Sequence, residues 1–439
     1  MTDLDQRFRA AAGIDVPDLW PDIEARDPRP EAGWAASGRR LVAFAVAILL
    51  IAGGIPLAVW ALRERGSPPA SQPLRCENSF QLASVPQHHT PDDRITAVAP
   101  ISGSDVWAVG WFGEAGISRG PVSGIDQAQI DHWDGTSWTS VPAAEISTEE
   151  ESTSGPVHVS GRLGFLQAVD GTTSTDVWAA GSANHPLIEH WDGHAWRESP
   201  SPSVGHGQLT GVVAISPTEA WAVGDRSDDG TPLIERWDGH AWRTVTVPSV
   251  GPGHWSAVAA TGPDDVWAAG FANQPERPLV GHWDGTAWRV ERLPTDGAPA
   301  VLMGIDAVSA TDVWSVGYQL ARQEFAVLIE HWDGAQWTQV NAAVSGLPVL
   351  GVLRSVAAVS ADDLWMLGYT QQILQVGHSS LVLHWDGRTW SKILTPRAVG
   401  VDLGSMSSLP NGEVWLAGAT LHGLGGATDV IMRRTCSGR

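Results

Sequence analysis

The chain has 439 residues, of which 48 are glycine, 29 proline and 24 tryptophan, while only 17% are charged. That balance is poor in helix-favouring charge pairs and rich in turn formers, which points to a repetitive all-β chain. A formal net charge of -22 argues against a nucleic-acid partner, because phosphate binding needs clustered Lys and Arg, and two cysteines are too few for a disulfide-dense scaffold or a four-cysteine zinc site.

Residues 1–38 read as a short cytoplasmic head, in which Leu4, Phe8, Ile14, Leu19, Trp20 and Ile23 form an apolar set among acidic neighbours. The run 41–62 carries no charge. At 1.5 Å per residue it spans roughly 33 Å, against a hydrocarbon core of about 30 Å, so residues 39–63 are expected to cross a membrane as a single helix. Arg39 and Arg40 before it are matched by Arg63 and Arg65 after it, and Arg26 and Arg29 tip the positive-inside balance towards a cytoplasmic head. A cleaved signal peptide is the alternative; the long leading segment and the lack of a small-x-small site speak against it. Residues 64–75, with GSPPASQP at 66–73, read as an extended linker.

From Cys76 onward the sequence repeats. An apolar hexapeptide led by an acid recurs around Trp107, Trp178, Trp221, Trp267, Trp314, Trp365 and Trp415, as in DVWAVG at 105–110 and EAWAVG at 219–224. In six of these modules a Trp-Asp-Gly follows, with a second Trp four residues after its Asp, as in WDGTSW at 133–138. Each module parses into four short strands, a to d; in 209–248 these are LTGVVAIS, EAWAVGD, PLIERWD and WRTVTVP. The Asp-Gly is a hairpin signal between c and d. The Trp-Asp ending of strand c, the hairpin after it and the period of roughly 40 to 50 residues resemble WD-repeat and kelch-type propellers, over residues 76–436. The resemblance implies an all-β, seven-bladed β-propeller, here preceded by a single transmembrane helix.

The seventh module ends before its d strand. SFQLASVP at 79–86 aligns with AWRTVTVP at 241–248, so residues 77–86 read as the missing strand, and the resemblance implies that a propeller closed in this way has its ends locked together. Cys76 lies four before Phe80, as Asp238 lies four before Trp242, and aligning IMRRTC at 431–436 with LIERWD at 233–238 puts Cys436 on the same Asp. A disulfide between Cys76 and Cys436 is therefore expected to replace the absent turn, two free thiols being the alternative, and a structural disulfide implies an oxidising, extracytoplasmic compartment.

Positions filled alike in every blade read as packing positions: the tryptophans as wedges with N–H groups bonded to backbone, the acid ahead of each strand-b Trp as an acceptor of turn amides, and the Trp-Asp-Gly aspartates as turn formers. Function is sought where blades differ. The b–c connections lengthen at 111–128, 318–325, 369–380 and 420–429, and segment 143–162 carries Glu149, Glu150 and Glu151, for which a solvated acidic loop is the simplest reading. Arg94, Arg162, Gln208, His254 and Arg354 complete the candidate binding set on that loop-rich face. His88, His89 and His206 near the channel mouth lack metal-ligand spacing, so no metal or other cofactor is expected. No catalytic constellation stands out. The expected role is a single-pass cell-membrane protein whose extracytoplasmic propeller binds a protein or an envelope glycan. A transmembrane regulator whose head engages a partner such as a sigma factor, and an extracytoplasmic hydrolase or lyase, are the alternatives.

Overall fold

The computed structural model describes residues 75–437 apart from gaps at loop tips, the longest being 114–126. The expected head and transmembrane run lie outside the described residues, among which no helix is long and apolar enough to cross a membrane. The chain divides into two units, the second spanning Ala70–Arg439.

The second unit is an all-β, seven-bladed propeller. Blade 3 shows the plan: strand a (Gly207–Ser216), b (Glu219–Arg226), c (Thr231–Trp237) and d (Trp242–Thr244) pair antiparallel in that order. The Trp-Asp-Gly turn joins c to d. Oδ1 of Asp238 accepts the amides of His240 and Ala241 at 3.0 and 2.9 Å, while Gly239 takes a φ of 86°, open chiefly to glycine. In blade 1 the Thr136 hydroxyl, with the Ser137 and Thr136 amides, holds the Asp134 carboxyl down to about 2.

The blades are joined by a recurring aromatic cluster. Trp178, in strand b of blade 2, stacks on His190 of its own blade at 4.1 Å between centroids and meets Trp237 and Trp242 of blade 3 at 5.1 and 5.2 Å. The same inter-blade contacts surround Trp107, Trp221, Trp267 and Trp415. Such pairs contribute about 0.5–1.5 kcal/mol each beyond area burial. Trp415 of blade 7 packs on Trp133 and Trp138 of blade 1, which closes the ring.

The acid ahead of each strand-b Trp is not primarily a turn cap. Asp265 accepts the Trp267 indole N–H at 3.0 Å and bonds Nε2 of His282 at 2.7 Å. Asp105, Asp176, Asp312 and Asp363 bond His132, His190, His331 and His384 in the same way. The reason is register: Trp107 lies opposite His132, and Asp105, two residues back on the strand, shares that face. Indole bonding to backbone holds instead for the Trp before Asp-Gly, as in Trp237 to the Pro217 carbonyl at 3.2 Å.

Blade 7 takes strands a (Val401–Ser408), b (Val414–His422) and c (Gly426–Arg434) from the C-terminal end and d (Gln81–Ala83) from the N-terminal side, with the Cys76–Cys436 disulfide beside them. The alignment of strand c is corrected by one residue. Trp415 lies opposite Arg433 as Trp221 lies opposite Arg236, so Thr435, not Cys436, corresponds to Asp238. The cation that faces the acid sets this register, whereas the apolar residues aligned above would fit either way. Phe80 does fall on Trp242, since Gln81 pairs with Arg433 as Arg243 pairs with Arg236. In place of a turn, both chain ends run on as a short ladder, Arg75 opposite Ser437 and Cys76 opposite Cys436.

Several expected loops are strands. In blade 5 the b–c ladder continues to Ala321 opposite Glu324, and in blade 7 to His422 opposite Gly426. The segment carrying Glu149, Glu150 and Glu151 is a hairpin of Ile146–Ser152 with Gly155–Gly161, not an irregular loop. Antiparallel pairing satisfies these backbones without further loop length.

Candidate ligand-binding rim

The joints repeat; one band of the molecule does not. At the end of the propeller that carries the b–c and d–a connections, each blade contributes one cross-strand pair from strands a and b. Around the ring these are Arg94 with Trp111, Phe165 with Ser182, Gln208 with Asp225, His254 with Phe271, Val301 with Tyr318, Val352 with Tyr369, and Asp402 with Ala419. Four of the seven strand-b members are aromatic, and both tyrosines of the chain are among them.

This rim surrounds a cavity of about 620 Å³ whose lining includes Gln167, Gln208, Asp225, His254, Phe271 and Arg354. A second cavity, about 450 Å³, continues along the channel and shares with the first Thr96, Gln167, Thr210, Ser256, Met303, Arg354 and Gly404, one residue from the innermost strand of each blade.

Rim residues clasp their neighbours across blades. Gln167 donates to Gln208 Oε1 at 3.2 Å, Gln208 donates to Asp225 Oδ1 at 3.1 Å, and Nδ1 of His254 bonds the same oxygen at 2.5 Å. Burial alone would raise the Asp225 carboxyl, but the bonds from His254 and Gln208 outweigh it and hold the group below the usual carboxylate range. With Asp225 ionised, the Nδ1–H of His254 donates to it. On the other side of the mouth, Nη1 of Arg354 donates to Asp402 at 2.7 Å, and the guanidinium lies 4.8 Å from the Tyr369 ring centre. Arg94 lies over Trp111 at 5.5 Å, and Trp111 meets Phe165 edge-on at 5.0 Å. Among the described residues, exposed Phe165, Leu320, Leu350 and Leu421 add apolar surface at the same end. Half-buried aromatic faces interleaved with oriented donors and acceptors suit a short segment of peptide or sugar.

Of the residues singled out from sequence, Gln208, His254 and Arg354 come together in the cavity lining, whereas Arg94 sits on the rim outside it. Arg162 braces the base of the acidic hairpin, its Nε donating to the Ala143 carbonyl at 3.2 Å and its Nη2 to Glu145 at 3.4 Å. Glu149, Glu150 and Glu151 are in that hairpin. His88 and His89 lie outside the described residues, and no group of three His, Cys, Asp or Glu among the described residues is placed to hold a metal. Sequence reasoning missed Asp225, Tyr369 and Asp402. Asp225 carried a signal, being the one charged residue that directly follows a hexapeptide glycine.

No family model and no curated protein matches this sequence. Solved structures do. A structure of YCF48 bound to a D1 peptide matches at 14% identity and a TM-score of 0.53, covering 82% of this chain and 98% of that one. U3-55K matches at 12% identity and a TM-score of 0.53, covering 81% and 98%. YCF48 from Cyanidioschyzon merolae matches at 12% identity and a TM-score of 0.50, covering 81% and 98%. That likeness shows the fold, a seven-bladed β-propeller.

Proposed function

We propose that this chain is a membrane-anchored, extracytoplasmic binding module, not an enzyme, and that its rim holds a segment of a partner protein. The observation that carries the reading is the contrast between joints and rim: the same Trp recurs in every blade and the same Asp and His in five, while the rim pairs vary, only blades 5 and 6 sharing a Val with a Tyr, and gather aromatic and charged groups around one cavity. A position free to vary within a rigid repeat is where recognition is built. The peptide bound by the similarly folded YCF48 is consistent with this use of a propeller. The disulfide and the uncharged run 41–62 support the compartment and the anchor. Arg75 and Cys76 pair with Ser437 and Cys436 on the turn face, opposite the rim.

Photo-crosslinking in the native cell tests this. A crosslinking side chain at Tyr318 or Phe271 is expected to capture a protein partner that one at Thr311, in the a–b turn of the opposite face, does not. Capture only from Thr311 would refute a rim site.

A further inference from the structure

Each innermost strand offers one residue to both channel cavities, and six of the seven are uncharged: Thr96, Gln167, Thr210, Ser256, Met303 and Gly404. The seventh is Arg354. Among the described residues the remaining acidic and basic lining groups are Asp170, Asp225, Asp306 and His254, so that the Arg354 guanidinium stands among carboxyl groups. Tyr369 backs its plane at 4.8 Å, and Asp402 occupies Nη1 at 2.7 Å. Beside it, Gly404 contributes no side chain; a Cβ there would lie 4.0 Å from Nη1, so any larger residue would fill the space next to the guanidinium.

The seam between blades 6 and 7 does not depend on this pair for its polar ties. Ser355 Oγ already donates to the Met406 carbonyl at 3.2 Å and accepts the Met406 amide at 3.1 Å. A planar guanidinium with one edge occupied, one face stacked and open space alongside is a receptor for a planar anion.

We infer that Arg354 reads a carboxylate of the bound peptide, and that Asp402 is an internal stand-in which holds the guanidinium until that carboxylate displaces it. The inference rests on the reading of the rim as a peptide site. It assigns opposite effects to the two members of one ion pair. Loss of Arg354 removes the receptor, whereas neutralising Asp402 removes the competitor; a merely structural pair would respond alike to either change.

The test is selection of a displayed random-peptide library on the detergent-solubilised full-length chain, with Arg354→Gln and Asp402→Asn variants and an acidic oligosaccharide in a parallel arm. Wild-type protein is expected to enrich peptides with an Asp, a Glu or a free C-terminal carboxylate at one fixed position. Arg354→Gln should weaken those peptides on the order of 10-fold or more and abolish the enrichment, and Asp402→Asn should tighten them by about 3-fold or more. Enriched peptides without a fixed carboxylate, or equal losses in both variants, would overturn the role of Arg354 and leave the peptide site standing. If no peptide is enriched and the oligosaccharide binds, both readings fall.

Discussion

At the scale of single residues, the joint between blades shows how one constraint is met by two chemistries. Five blades pair a strand-b Asp with a strand-c His; blade 3 pairs Glu219 with Arg236 at 2.8 Å, and blade 7 sets Glu413 beside Arg433. The longer acid accompanies the longer base. Each cation lies over two indoles, Arg236 over Trp221 and Trp283 at 5.1 and 5.6 Å, and Arg433 over Trp415 and Trp133 at 5.6 and 4.9 Å. Glu219→Asp alone, or Arg236→His alone, is expected to destabilise the protein by about 1–2 kcal/mol by leaving a half-buried charge poorly met. The double substitution should recover all but about 0.5 kcal/mol, because it recreates the pair of the other blades. Denaturant unfolding of the four proteins measures the coupling; additive losses would mean that the pair acts as two separate contacts.

At the scale of elements, the strands were legible because each carried its own period and its own punctuation. The hexapeptide marked strand b, and Trp-Asp-Gly marked the c–d hairpin so strongly that the missing copy in blade 7 pointed to Phe80 and the N-terminal strand. What was not legible depended on pairing across space. Lengthened b–c segments in blades 5 and 7 looked like loops because nothing local shows that Tyr318 faces Val327 or Thr420 faces Thr428. The rim was partly legible for the same reason: Gln208, His254 and Arg354 stood out as polar residues before or within strand a, but Asp402 gained meaning only beside Arg354, half a hundred residues away. The closure is the element most exposed to test. Strand d of blade 7 is held by a short ladder, by Phe80 against Trp365 and by a disulfide closing a sequence separation of 360. Chain entropy puts an upper bound of about 6 kcal/mol on that cross-link. Replacing Cys76 and Cys436 with Ser is expected to speed amide exchange in Gln81–Ala83 and Gly426–Arg434 while leaving blade 3 unchanged. Uniform acceleration through all blades would show instead that the ring opens as one unit.

At the scale of the whole ring, carboxyl groups are built into several joints, and their protonation couples the blades to pH. Glu189 accepts the Ala144 amide across the seam between blades 1 and 2 at 2.9 Å, while its Oε1 is buried without a partner; burial lifts the group to about 7. Asp429, buried near Asp131 and Asp93 at the seam between blades 7 and 1, is raised to about 7, and burial lifts Glu330 to about 7. Asp170 and Asp306, which accept the Ala214 and Ala358 amides of the following blades, are raised by burial to about 6. An acid whose pKa is higher in the folded state binds its proton more tightly there, so its contribution is complete below the unfolded value near 4 and is lost as pH rises towards 6–7. The exposed turn aspartates act in the opposite sense. Asp134 and Asp284 sit at about 2, so their contribution is present above pH 4 and is lost as pH falls below it. The two sets leave a stability maximum near pH 4, with a decline between about pH 4 and 7 that belongs to the joints. Thermal unfolding across that range should show it, and Glu189→Gln, which keeps the acceptor for Ala144 and cannot ionise, should be more stable than wild type by about 1–3 kcal/mol at pH 8, with most of that gain gone at pH 5. A stability curve flat from pH 5 to 8 in both proteins would mean that water or rearrangement compensates these carboxylates, and that the joints are not where pH acts.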